Sequence, residues 1–342
     1  MTSKYSVLFL THRGERHQRS ALQAAPPEFE ITLLRDADKQ TILHHLPGKQ
    51  FLITERSDTI DADIIAAGKD LRLIQRLGSQ VYDIDLEAAK QAGIPVCYYP
   101  IRMTAMVAEH MILQMLALAK RLRESMHVIT LDRDWGLEPR ECDEDTFVIN
   151  FTGRQGIETL NQKTVGIVGF GEIGIELARR LKGFNCTVLY YKRNRLSDFA
   201  EADLNIRFAT LDHLLAQSDY VAMLLPYEPE TAGCVNRAFI SKMKRGAFLV
   251  SCGASGILNE ADVRDALAEG YLGGVATDTF AWEPIRRDNP LLELARHPES
   301  NIVLTPHTAS GSIDPNALPD RSEDYSNLLR LLRGEPLLYR VV

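Results

Sequence analysis

Lys163 to Arg195 reads KTVGIVGFGEIGIELARRLKGFNCTVLYYKRNR, and the rest of the chain is arranged around it. Val165, Ile167 and Val168 form a short apolar run without helical period, the pattern of a strand buried on both faces. Gly169, Gly171 and Gly174 follow at GxGxxG spacing, with Phe170, Glu172 and Ile173 between them. From Ile173 to Leu181 apolar residues recur at helical intervals. In such a turn the first glycine permits the tight strand-to-helix bend. The second lets a pyrophosphate approach the backbone, and the third lets helix and strand pack closely. The free N–H groups and dipole of the helix N-terminus supply an anion site. A glycine-rich turn also arises for steric reasons alone, but here a second strand, Thr187 to Tyr191, completes a dinucleotide-binding unit.

The end of that second strand bears on which dinucleotide is taken. An NAD site usually places Asp or Glu there to accept from the ribose 2′-hydroxyl. This chain has Tyr191, Lys192, Arg193, Asn194 and Arg195, and no carboxylate before Asp198. A cationic cluster suits a 2′-phosphate, which Arg193 is able to grip bidentately. The alternative is a solvated basic loop. The expectation is NADP in preference to NAD.

The 342 residues exceed what one core ordinarily organises, so two domains are expected. A composition of 45% hydrophobic and 25% charged residues is that of a globular chain. The net charge of −7 argues against a general nucleic-acid binder, and the basic cluster is local. VLFL near the start is too short for a signal peptide, and MILQMLALA, interrupted by Gln114, reads as a core helix rather than a membrane span. Cys97, Cys142, Cys186, Cys234 and Cys252 are scattered without metal-ligand spacing, which fits a reducing cytoplasm and no metal.

Before the central stretch, Val7–Leu10, Ile31–Leu34, Phe51–Thr54, Leu73–Arg76 and Pro95–Cys97 are short apolar runs. Helical segments at Asp38–His45, Asp61–Ala67 and Asp85–Gln91 separate them. That alternation implies a parallel sheet covered on both faces. Ligands of such sheets bind beyond the carboxyl ends of the strands. Ser79 and Gln80, just after the Leu73 run, are therefore candidate substrate contacts, unless Gly78 marks a plain turn. Thr104 to Glu124 reads as one long helix, apolar on most of its circumference. Glu109 and His110, near its start, are either structural or functional. From Asp132 to Asn161 the pattern fails, as in a lid or a dimer arm. Afterwards strands are expected at Tyr220–Leu225, Ala247–Ser251, Val275–Thr277 and Ile302–Leu304, making six with the first two. Helices are expected at Leu211–Gln217, Arg237–Met243 and Leu258–Glu269, the last with Asn259 as N-cap and Gly270 as stop. A final helix spans Leu318–Leu332 and packs on the first domain.

The motifs LIQRLGSQVYDIDLEAAKQAGIPV, VAEHMILQMLALAKRL, KTVGIVGFGEIG, LLPYEPET, MKRGAFLVSCGASGILNE, GVATDTFAWEP and TPHTA fall in one order from Leu73 to Ala309. With them the chain resembles the D-2-hydroxyacid dehydrogenases. The resemblance implies two Rossmann-like α/β domains, a dinucleotide-binding domain of residues 103–307 inserted in a flavodoxin-like substrate domain of residues 1–102 and 308–342. It implies a homodimer, and hydride transfer between C2 of a hydroxyacid and nicotinamide C4. The family's histidine falls on His307 of TPHTA and its carboxylate partner on Glu283 of WEP. An imidazole exchanges a hydroxyl proton near neutrality, and a carboxylate beside it fixes the tautomer and favours the charged ring. Asp278 matches the residue that meets the nicotinamide carboxamide. Leu225, Pro226 and Thr231 match contacts along the adenosine half, and Cys252 and Gly253 border the cofactor.

One family residue is missing. The catalytic arginine belongs to a motif resembling NTARGG, and here Ser251, Cys252, Gly253, Ala254, Ser255 and Gly256 stand there. Ala254 cannot clamp a carboxylate or polarise a carbonyl. Met103 stands where asparagine is common, and Gln80 replaces a common glycine. With three changes directed at one pocket, the expected substrate is not an ordinary small 2-oxoacid. Arg102, Arg140 and Arg154 are candidate replacement anchors. The alternatives are an NADP-dependent glyoxylate or hydroxypyruvate reductase and a nucleotide-sensing regulator without turnover. Retention of both Glu283 and His307 favours an enzyme.

Overall fold

A computed structural model describes residues 4–55, 58–311 and 320–342. The chain divides into two compact units, Met1–Thr104 with Ser312–Val342, and Ala105–Gly311.

The first unit is built on β1 (Tyr5–Thr11), β2 (Phe29–Arg35), β3 (Phe51–Glu55), β4 (Leu73–Leu77) and β5 (Val96–Tyr99), all parallel, in the order β2-β1-β3-β4-β5. That is the flavodoxin-like order. Alternate residues of a strand face opposite sides. Leu8, Leu10, Leu52 and Ile74 accordingly pack with Ile42, Ile64 and Ile65 of two helices, while Val7, Phe9, Phe51, Ile53 and Leu73 pack with Ala21, Tyr325 and Leu328. The helices Lys39–His45, Ala62–Ala67 and Leu86–Gln91 start on Asp38, Asp61 and Asp85, whose carboxylates each accept a backbone N–H of the first turn. A further helix, Glu15–Ala24, escapes the apolar pattern because it buries only Ser20 and Ala21.

The C-terminal segment completes this unit. A short 3₁₀ turn, Ser322–Tyr325, leads into the helix Ser326–Arg333. The helix expected over Leu318–Leu332 thus begins later, and Leu318 and Pro319 lie outside the described residues. Tyr325 Oη donates to Ala21 O at 2.7 Å, and Asn327 donates to Gln75 Oε1 at 2.9 Å. Burial of Leu328 alone contributes about 2 kcal/mol.

The second unit holds β6 (Thr164–Val168), β7 (Thr187–Tyr191), β8 (Ile206–Phe208), β9 (Tyr220–Met223), β10 (Phe248–Ser251), β11 (Gly274–Thr277) and β12 (Ile302–Leu304), parallel, in the order β12-β11-β10-β9-β6-β7-β8. Counted from β6, this is the dinucleotide-binding order 3-2-1-4-5-6 with one strand more. The sequence suggests six strands; β8, three residues long and half exposed, is the seventh. The order reverses between β6 and β9, which is where such sheets take their ligand.

The long helix expected from Thr104 to Glu124 is instead two, Arg102–Ala119 and Leu122–Val128. Ala119 O accepts the N–H of Glu158 at 2.7 Å, which ends the helical ladder, and Arg121 turns to φ +46°. Asn259 caps the helix Glu260–Ala268 and Gly270 follows at φ +66°. Segment 132–161 carries neither helix nor strand. Its Phe147, Ile149 and Phe151 are exposed, while Trp135 meets Phe151 edge to face at 5.7 Å. Among the described residues no helix is long and apolar enough to cross a membrane.

Candidate active site

At the reversal between β6 and β9 the glycines shape an anion cradle. Gly169 has φ +90°, and a Cβ there would stand 2.7 Å from the Leu224 carbonyl. Gly171 is the N-cap of the helix Glu172–Leu181 and gives it no side-chain cap. A Cβ at Gly171 would meet nothing within 4 Å, so open space lies where a phosphate would come. Phe170 and Gly174 close the back of the turn: a Cβ on Gly174 would lie 3.1 Å from the Phe170 ring, itself packed on Tyr190 at 4.7 Å. Glu172 is buried and Ile173 half-buried at the helix start. These residues fit a dinucleotide pyrophosphate.

Beyond β7 the basic cluster divides. Arg195 is held by Glu201, at 2.7 and 2.8 Å, and by Asp198 at 3.0 Å. Arg193 lies outside that network, its side chain 84% exposed and 3.6 Å from Glu228. Across the cradle, Leu225 O accepts the Ala254 N–H at 3.0 Å. Pro226 is exposed, and Thr231 Oγ1 accepts from Glu228 N at 2.8 Å and donates to Pro226 O at 2.7 Å, so this hydroxyl shapes its own turn.

His307 follows β12 in the left-handed region, φ +54°. Its Nδ1 lies 2.6 Å from Glu283 Oε2, which leaves Nε2 for a reacting group. Glu283 Oε1 accepts from Phe280 N at 3.0 Å and from Ser255 Oγ at 2.8 Å. Burial works against the ionised carboxylate, yet the bonds from His307, Phe280 N and Ser255 hold its carboxyl below the ordinary range. Asp278, 1% exposed, binds the turn on which His307 stands. Its oxygens accept from Thr305 Oγ1 at 2.6 Å, Thr308 N at 3.0 Å and Ala309 N at 2.8 Å.

A second layer supports Thr305. His110 Nε2 lies 3.0 Å from Thr305 Oγ1 and Gln114 Nε2 3.3 Å from it, while Cys252 Sγ donates to Gln114 Oε1 at 3.4 Å. Burial pushes the Cys252 thiol up, away from thiolate chemistry. Glu109 points elsewhere, pairing with Arg180 at 2.9 Å. Gly253 packs closely on the Leu225 backbone, since a Cβ there would stand 3.1 Å from Leu225 O and would displace the Ile257 Cδ1.

Ala254 is half-buried beside Ser255. Of the proposed replacement anchors, Arg154 is excluded: it pairs with Glu124, whose neighbour Arg123 bonds Ile302 O at 2.7 Å, at the start of β12 and so at the opposite end of that strand from His307. Arg140 is exposed. In the first unit, Ser79 is buried just past β4, and Gln80 turns onto Asp83 at 3.2 Å, beside the buried Arg76–Asp83 pair at 2.9 Å. Arg102 and Met103 are exposed at the start of their helix. The sequence gives no sign of the Ser255–Glu283 bond or of the Thr305 layer, because each joins residues far apart in the chain.

A parallel sheet of this order with a glycine cradle at its reversal defines a dinucleotide-binding protein. Residues 112–309 match the model of the D-isomer specific 2-hydroxyacid dehydrogenase NAD binding domain. The chain is 31% identical over 283 residues to the D-3-phosphoglycerate dehydrogenase of Archaeoglobus fulgidus, covering 83% of this chain and 50% of that one. It is 30% identical over 310 residues to the glyoxylate reductase of Korarchaeum cryptofilum, covering 90% and 88%. A crystal structure of a Pyrococcus horikoshii OT3 protein aligns over 99% of this chain and 95% of its own, with a TM-score of 0.55 and 26% identity. The chain belongs to the D-isomer specific 2-hydroxyacid dehydrogenase family. It spans about half the length of the phosphoglycerate dehydrogenases it matches.

Proposed function

We propose that the protein is an NADP(H)-dependent oxidoreductase that reduces or forms the carbonyl of a hydroxy/oxo substrate other than a simple 2-oxoacid. The observation that carries this reading is the 2.6 Å contact between His307 Nδ1 and Glu283 Oε2 at the carboxyl end of the sheet that bears the cradle. The nicotinamide, when bound, supplies or accepts the hydride. His307 gives a proton from Nε2 to the substrate oxygen in reduction and takes it back in oxidation, while Glu283 balances the imidazolium. Asp278 keeps the histidine turn in place and is assigned the carboxamide; Leu225, Pro226 and Thr231 are assigned the adenosine half.

NADP is favoured over NAD because Lys192 and Arg193 stand at the end of β7 with no acidic residue in that position. A homodimer is part of the reading, supported by the family and by the exposed apolar side chains of Leu113, Met126, Ile129 and Phe147. A reducing compartment, the cytoplasm, agrees with five free cysteines.

The unusual substrate is inferred from Ala254, which has no charge to meet a carboxylate. The second reading, an NADP-dependent glyoxylate or hydroxypyruvate reductase, is favoured by the likeness to glyoxylate reductases over nearly their whole length. NADPH consumption over a panel of 2-oxoacids, by the native chain and by Ala254→Arg, separates the two. The first reading expects no gain on the native substrate and at most weak new activity on glyoxylate or hydroxypyruvate. A rescue by orders of magnitude on a simple 2-oxoacid, about 3 kcal/mol of restored electrostatic anchoring, leaves the second reading standing.

A further inference from the structure

Ser255 occupies a position where the related motif has glycine, and it is the residue next to the missing arginine. Its loop is fixed at two backbone points. Gly253 O accepts from Thr279 Oγ1 at 3.0 Å, and Ala254 N donates to Leu225 O at 3.0 Å. From this anchored loop the Ser255 hydroxyl reaches Glu283 Oε1 at 2.8 Å, while Phe280 N reaches the same oxygen at 3.0 Å from the loop that carries Glu283. Two donors from separate segments therefore converge on one carboxylate oxygen and leave the other to His307.

We propose that Ser255 is a positioning residue of the relay: by binding Oε1 it fixes the Glu283 side chain with Oε2 toward His307 Nδ1. The inference rests on the proposed roles of Glu283 and His307. A carboxylate held by one backbone N–H alone retains rotation about its terminal torsion, which is broad and two-fold. A second donor on the same oxygen, from a different loop, removes that freedom. Each donor also favours the charged form. The other charged groups around this segment are already engaged. Glu260 accepts from Ala281 N and Asn289 Nδ2, Arg286 pairs with Asp288 while lying over Trp282, and Asp278 is spent on the histidine turn. His307 is the ring that pairs with Glu283, at 2.6 Å.

The test follows ring resonances of histidine-labelled full-length protein against pH, without substrate, the His307 signal being assigned by its loss in His307→Ala. Protonation of Glu283 registers as a second, acidic step in the His307 signal. In the native chain that step lies below the ordinary carboxyl value of 4.5. In Ser255→Ala it moves up by at least about half a pH unit, and in Ser255→Thr, which restores a hydroxyl, it returns. Both variants stay folded, since Ser255 is half-buried, and Ser255→Ala gives up only the stability linked to its raised Glu283 step, which Ser255→Thr recovers. An acidic step that does not move in Ser255→Ala overturns the proposal, as does a threonine variant that titrates like alanine. Glu283→Gln must abolish the step; a step that survives there overturns the pairing of Glu283 with His307 itself, a different failure from that of Ser255.

Discussion

His307 keeps its left-handed backbone because Asp278 grips Thr305 on one side of it and Thr308 and Ala309 on the other. That conformation costs about 1 kcal/mol for a residue with a Cβ, and three hydrogen bonds to one buried carboxylate offset it. His307→Ala should lower turnover by about 10²-fold or more while leaving cofactor affinity intact, measured by steady-state rates and by fluorescence titration of NADPH. Equal rates in the variant would remove His307 from proton transfer. Glu283→Gln takes away the charge opposite the ring, so carbonyl reduction should fall away at lower pH than in the native chain. The stability sign is separate. Because the Glu283 carboxyl lies below its ordinary 4.5, its ionised form contributes stability above that value and loses it as pH falls through the depressed one. Denaturation midpoints of the Gln variant should therefore lack that acidic decline. His307 and Glu283 were legible as TPHTA and WEP. Ser255 was not, since its partner lies 28 residues away and a serine in a loop carries no pattern of its own.

The strand–turn–helix–strand element around Gly169 was legible for a local reason: the turn itself takes Gly169 to φ +90°, Gly174 faces Phe170 in the same turn, and Gly171 leaves open space where a phosphate would come. Elements set by distant contacts were not. The helix break at Arg121 depends on the Glu158 N–H taking a carbonyl that the helix would otherwise use. Strand β8 has too few buried side chains to register as a period. The end of β7 makes its own prediction. Arg193→Ala should weaken NADPH by roughly tenfold, about 1.5 kcal/mol for a hydrogen bond to a charged group, and leave NADH unchanged. Glu228, 3.6 Å from that guanidinium, competes with a phosphate for it, so Glu228→Gln should tighten NADPH. Titrations in which both cofactors respond alike would return Lys192 and Arg193 to the status of a solvated loop.

Across the whole chain, the flavodoxin-like unit is assembled from both ends, and a buried ionic cluster joins them. Arg321 bonds Glu55 Oε2 at 3.0 Å and Asp324 Oδ2 at 2.5 Å, while Glu55 also takes Thr11 Oγ1 at 3.0 Å and Arg13 Nε at 3.1 Å. Burial opposes the charge on Glu55, and the two arginines nonetheless hold its carboxyl below the usual range. Arg321→Ala leaves two buried carboxylates short of a cation and should cost about 3 kcal/mol in chemical denaturation. Arg321→Lys should recover little, because one ammonium cannot span both partners as a guanidinium does. A variant as stable as the native chain would show the cluster to be energetically idle. The alternation of strands and helices made the class of this unit readable; the cluster was invisible because its members lie 266 residues apart.

The interruption of one unit by the other also sets a timetable for synthesis. Tyr325 and Leu328, which cover Val7, Phe9, Phe29 and Phe51, leave the ribosome only after residues 105–311 have been made. At roughly 5–20 residues per second, the aromatic underside of the first sheet waits about 10 to 40 s for its lid. By the end of that interval the inserted unit, contiguous in sequence, has every residue it needs to fold. The nascent chain thus passes through a stage in which its nucleotide-binding half is complete while the half begun first still shows a sticky face, the kind of surface that chaperones hold.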